Sequence, residues 1–143
     1  MKTGRPKNIE SPEVLKELFS DYCKEAKTNP KFENVLIHKS GEIVSVPREI
    51  PLTWEGFESY LSSRNVIVRL DDYKSNKEGR YSEFADIIRA ISRDIYLDKF
   101  NGATVGIFQH NIIARDLGLV DKRETREVHP PIAGLNLKDT KGE

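Results

Sequence analysis

The sequence predicts a mainly α-helical domain carrying one β-hairpin. Apolar residues recur at spacings of three and four in several segments, which is how a helix builds one buried face. Only one stretch, at about residues 34–47, pairs two β-prone runs around a turn. No internal repeat or heptad array competes with this reading.

Taken in order, residues 1–9 form a basic arm in which Lys2, Arg5 and Lys7 surround a Gly-Arg-Pro core without apolar periodicity. A helical core domain occupies 10–119, and a polar tail occupies 120–143. The first helix has Ser11 as N-cap, Pro12 at its first position and Glu13 in its first turn. Its apolar face is Val14, Leu15, Leu18, Phe19 and Tyr22, and Asn29-Pro30 ends it. The hairpin pairs Val35-Leu36-Ile37 with Ile43-Val44-Ser45-Val46 across Lys39-Ser40-Gly41.

Thr53 then caps a short helix with Trp54, Phe57, Tyr60 and Leu61. After a polar turn at Ser62 to Asn65, a second short helix carries Val68, Leu70 and Tyr73, the layout of a helix-turn-helix. The longest helix is capped by Ser82 and bears Phe84, Ile87, Ile88, Ile91, Ile95 and Phe100. Gly102 marks a break, and a last helix runs from about Ala103 to Leu117, closed by Gly118.

The chain has 143 residues, enough for one domain, with 37% hydrophobic and 32% charged side chains. Lys plus Arg equals Asp plus Glu at 23 each, so nucleic-acid binding must come from local patches or from many copies presented together. A single cysteine, Cys23, excludes an internal disulfide and a cysteine-based zinc site. No run reaches the roughly 18 apolar residues of a membrane span, and the N-terminus does not resemble a signal peptide, so a cytosolic protein is expected.

Catalytic chemistry has little to stand on. Asp71 and Asp72 are adjacent and diverge by about 100° on a helix. Asp86, Asp94 and Asp98 read as a solvated face beside Arg89 and Arg93, and His38, His110 and His129 are scattered. Phosphate-binding glycine loops and nucleophile elbows are absent, so no catalytic residue, metal or cofactor is expected. DNA contact has more support. Arg64, Arg69, Lys74 and Lys77 are candidate phosphate contacts, with Asn65, Ser75 and Asn76 as polar partners, although Asp71-Asp72 would repel phosphate. Arg5 in Gly-Arg-Pro suits an A·T-rich minor groove, and Lys7 adds a neighbouring charge.

Four segments occur together in a distinctive order: "GRPKNIESPEVLKELFSDYCKEAKTNP", "VLIHKSGEIVSVP", "PLTWEGFESYL", and "NIIARDLGL" preceded by "DKFNGATVGIFQH". Over residues 4–125 this set resembles the small terminase subunits of tailed phages, most closely those of short-tailed lambdoid type. The resemblance implies a non-enzymatic DNA-packaging protein assembled as a homo-oligomeric ring. Such a ring binds double-stranded viral DNA at the packaging-initiation site and recruits the large terminase subunit, which holds the ATPase and nuclease. It implies action in the host cytoplasm and absence from the mature virion. The tail departs from relatives with a basic C-terminus, since after Arg126 only Lys138 and Lys141 face Glu127, Asp139 and Glu143. DNA contact is therefore expected from the arm and the helix-turn-helix. Candidate ring-interface residues are Ile87, Ile91, Ile95, Phe100, Phe108, Ile112 and Leu117, some of which must instead serve the protomer core. The rival readings are a dimeric helix-turn-helix transcription regulator, a small metal-dependent nuclease, and an adaptor without DNA contact.

Overall fold

Ser11 is extended (φ −146°, ψ 161°), and its Oγ accepts the Val14 N–H at 3.3 Å, which starts α1 (Pro12–Thr28) with Pro12 in the first turn. The structure, a computed structural model, describes residues 7–66 and 69–119. Leu15, Phe19 and Tyr22 form the buried stripe of α1. Ile9, assigned to the arm by its sequence context, is also in the core, and its N–H donates to the Tyr73 hydroxyl at 3.2 Å.

Strands β1 (Lys31–Ile37) and β2 (Glu42–Arg48) pair antiparallel, with Val35 opposite Val44 and Leu36 opposite Ile43. Gly41 takes a positive φ of 71° in the turn, where both it and Ser40 donate to the Ile37 carbonyl. The ladder reaches back to Lys31, further than the expected start near residue 34, and includes Pro47 opposite Phe32. A two-stranded sheet has only edge strands, so the missing Pro47 N–H costs no central ladder bond.

Thr53 caps α2 (Trp54–Ser63), its Oγ1 accepting the Gly56 N–H at 2.8 Å. Helices α1 and α2 meet closely: the Tyr22 hydroxyl donates to the Thr53 carbonyl at 3.3 Å and accepts the Thr53 N–H at 3.1 Å. The rings of Phe19 and Phe57 lie edge to face there, 5.3 Å apart. After α2, α3 (Leu70–Lys74) has only five residues, and its first N–H, from Leu70, donates to Glu58 Oε1 of α2 at 3.1 Å.

Two 3₁₀ turns, Lys77–Gly79 and Ser82–Phe84, lead into α4 (Ala85–Thr104). Ser82 does not cap α4 as expected. Its hydroxyl is engaged with Gly79 and Asn76 instead. Buried Ile88, Ile91, Ile95, Lys99 and Gly102 follow the expected helical spacing.

The expected break at Gly102 does not occur. The helix passes through it to Thr104, and the Phe108 ring packs where a side chain at this position would begin. The last helix, α5 (His110–Asp116), is correspondingly shorter than the expected 103–117. Gly118 closes it at φ 69°, with Leu119 N–H reaching the Ala114 carbonyl and Gly118 N–H the Arg115 carbonyl, a Schellman ending. The core lies where α1, α2, α3 and α4 converge, and the hairpin stands outside it.

Candidate nucleic-acid interface

Of the six candidate DNA contacts, Arg5 falls outside the described residues. Lys7 pairs with Glu83, and its ammonium lies 5.7 Å from the Tyr81 ring centre and 5.3 Å from that of Phe84. Lys74 bonds Asp71 at 2.7 Å and sits 4.9 Å over Trp54 at the start of α2. That contact holds the Asp71 carboxyl below its ordinary value. Lys77 faces Asp72 at 3.8 Å, and Arg69 precedes α3 as its N-cap.

Arg64 belongs elsewhere. It follows the other end of α2, stacks 4.4 Å over Tyr60 and bonds Glu25 of α1 at 2.8 Å. The hydrogen bond to Glu25 is the main reason its guanidinium is held above its ordinary value. The structure thus groups Lys7, Lys74 and Lys77 around α3 and the start of the α3–α4 connection. Arg64 lies roughly 15 Å away along α2.

The second helix of the expected helix-turn-helix is thin for its role. At five residues α3 spans about 7.5 Å, and Asp71 and Asp72 occupy its first turn, where a recognition helix meets bases. Arg80 was not singled out by sequence reasoning. Its guanidinium carbon lies 5.9 Å from the centre of the same Tyr81 ring that Lys7 covers. The Gly79-Arg80-Tyr81 run was the only available signal, and alone it reads as a loop.

The seven candidate assembly residues also divide. Ile91, Ile95 and Phe108 are buried inside the protomer, Ile87 packs against the core, and Leu117 is half-buried. Phe100 and Ile112 are exposed, the latter at 65%. Sequence reasoning missed their exposed neighbours in the chain: Tyr96, which stacks on Phe100 at 5.9 Å and 9°, and Leu97, Val105 and Ile107. A groove of about 610 Å³ is lined by Glu33 and Arg48 at the hairpin base, by Ile107 in the α4–α5 turn and by Ile112 and Ile113 of α5. Among the described residues no group of three His, Cys, Asp or Glu side chains converges as a metal site, and no helix is long and apolar enough to cross a membrane.

The family of the DNA-packaging protein gp3 matches residues 4–125, which is most of the chain. The chain belongs to that family. It is also similar to the terminase small subunit of Salmonella phage P22, with 27% identity over 129 residues, covering 89% of this chain and 75% of that protein.

In this gp3-family protein the acidic residues of α4 are not all a solvated face. Asp86 is exposed beside Arg89, as expected. Asp98 instead turns inward, with one oxygen accepting from Lys27 Nζ at 2.6 Å and the other from the Leu52 N–H at 2.7 Å. Lys27 also reaches Glu49 at 2.7 Å and the Ile50 carbonyl at 3.2 Å. These contacts tie α1, the chain leaving the hairpin and α4 into one node. Cys23 lies nearby, half-buried. Burial first, and the Asp94 and Asp98 carboxylates after it, push its thiol up and disfavour the reactive thiolate.

Proposed function

We propose that this protein is the small terminase subunit of a tailed phage. It recognises viral DNA at the packaging-initiation site as a ring of identical protomers and recruits the large subunit, which performs ATP hydrolysis and cleavage. The observation that carries the reading is the gp3-family match over residues 4–125, supported by the likeness to the P22 terminase small subunit. The protein itself supplies no catalysis and acts in the host cytoplasm, outside the mature virion. The DNA contacts are Arg5, Lys7, Arg69, Lys74 and Lys77, with Arg64 on a separate face.

Repetition around a ring is what makes this charge-neutral chain a DNA binder. Each protomer contributes a few exposed cations, and simultaneous engagement multiplies weak contacts. The exposed apolar residues Tyr96, Phe100, Val105, Ile107 and Ile112 are the surface proposed to meet the neighbouring protomer.

Native mass spectrometry tests assembly, and the expected species is a multiple of the 16.4 kDa protomer well above a dimer. A discrete dimer would favour the transcription-regulator reading, and a monomer would overturn the ring. Mobility shift on phage DNA should show binding that weakens steeply with salt, whereas no binding at low salt would favour an adaptor. Ile112→Glu should dissociate the assembly while changing protomer stability by only about 0.5 kcal/mol, because the side chain it replaces is exposed. An intact ring in that variant removes Ile112 from the interface.

A further inference from the structure

We propose that the charge-free face of one protomer's β-hairpin packs on the α4–α5 ridge, at Val105, Ile107 and Ile112, of a second copy of this chain. This rests on the ring reading above and supplies the surface that the ridge meets.

The strand register sorts the hairpin into two unlike faces. Phe32 stands opposite Pro47, Asn34 opposite Ser45 and Leu36 opposite Ile43, so these six residues share one face. Lys31, Glu33, Glu42 and Arg48, which are all the charged residues of both strands, fall on the other face with Val35, Ile37, Val44 and Val46. An antiparallel sheet with one wet side turns its polar residues outward. Here the order is reversed. Glu33 and Arg48 line the groove that Ile107, Ile112 and Ile113 also line, and Val35 and Val46 on their face are half-buried. The charge-free face is the open one, with Ile43 at 71% exposure and Phe32 at 67%, against 39% for Val44 on the other. A two-stranded ribbon with no covered apolar face is marginal in water, so this face needs a partner.

The chain carries the complement itself. Val105, Gly106 and Ile107 are consecutive and uncharged, Val105 and Ile107 are exposed, and exposed Ile112 lines the same groove as Ile107. The hairpin's charged face is the one turned to this ridge, so its charge-free face points away and does not cover the ridge of its own chain. Joined between chains, the two patches bury apolar surface on both sides, and neither contributes a charged side chain to be stranded. A contact between unlike patches is heterologous. Each protomer gives its hairpin to one neighbour and its ridge to the other, and such contacts generate a ring when the rotation closes, whereas a two-fold dimer needs one patch meeting itself.

The test is thiol cross-linking of full-length protein in a Cys23→Ser background, read on a denaturing gel. Leu36→Cys and Ile107→Cys chains are made separately, co-assembled and treated with a short bis-maleimide. A two-chain product is expected from the mixture and from neither variant alone. With both substitutions in one chain, a ladder of multiples of the 16.4 kDa protomer is expected. A two-chain product from either variant alone would mean that like patches meet, and an internally linked single chain would mean that the hairpin covers its own ridge. Either result overturns the contact, as does a mixture that stays uncross-linked while native mass spectrometry shows it assembled. Ile43→Asp should reduce the assembly to single protomers with unchanged far-ultraviolet circular dichroism, because the hairpin stands outside the core. Folded Ile43→Asp protein at the parent's assembled mass would overturn the contact, assign this face to a different partner and leave the packaging reading intact. A monomeric parent would overturn the ring and this contact together.

Discussion

Lys27→Met is expected to lower the melting temperature by roughly 8 °C, equivalent to about 2–3 kcal/mol for a chain of this size. Lys27 joins several elements at once. Its ammonium contacts Asp98 on α4, Glu49 after β2 and the Ile50 carbonyl, and stands 5.3 Å from the Phe108 ring before α5. Methionine would keep much of the apolar stem but leave the Asp98 carboxylate, whose side chain is 19% exposed, without its counter-charge and with only the Leu52 N–H as partner. The penalty is set mainly by that stranded charge. Asp98→Asn added to Lys27→Met should therefore recover part of the loss, and a double-mutant cycle measures how much. A melting temperature within 2 °C of the parent would show that the node contributes nothing to stability.

The pH dependence of this pair has a definite sign. Burial disfavours the Lys27 charge, but the hydrogen bonds and charges of Asp98 and Glu49 outweigh it, so the ammonium is held above its ordinary value of 10.5. A raised folded-state value means the stabilisation is complete below 10.5 and fades as pH climbs through the folded value. Titration of Lys27 should therefore leave the gap between parent and Lys27→Met unchanged from neutral pH to about 9 and narrow it only above 10.5.

The local signals in the chain were legible because their physics is local. Ser11 and Thr53 cap α1 and α2 through bonds to residues three positions away, and Gly118 ends α5 as a glycine at that position should. What was not legible depended on distant partners. Asp98 reads as solvent-facing on a helical wheel, yet Lys27 and the Leu52 N–H cover it from elements remote in sequence. The hairpin extends to Lys31 because Arg48 and Pro47 lie opposite, and both strands are largely exposed, so no inside-outside alternation marked their ends. The same limit applied at the candidate DNA face. Individual cations could be found by type, but only the fold brings Lys7 over the Tyr81 ring, which packs on Tyr73.

Gly102 gives the clearest test of a residue whose role reverses with its surroundings. In an ordinary helix interior, replacing glycine by alanine stabilises by about 1 kcal/mol. Here a Cβ would overlap Cδ2 and Cε2 of Phe108, while the Gly102 carbonyl accepts the Ile107 and Phe108 N–H groups at 2.8 and 3.0 Å. Gly102→Ala should therefore destabilise the parent by about 2 kcal/mol, since the ring must leave its seat and α5 loosens with it. Phe108→Ala should cost about 3–4 kcal/mol by emptying that seat. With the ring gone, nothing opposes the added methyl, so Gly102→Ala in the Phe108→Ala background should stabilise by about 1 kcal/mol. Denaturant unfolding of the four proteins measures this change of sign, which is a coupling of about 3 kcal/mol between the two positions. If Gly102→Ala stabilises the parent as well, the ring is not seated on the helix. The glycine at position 102 would then need another reason than the close approach of that ring.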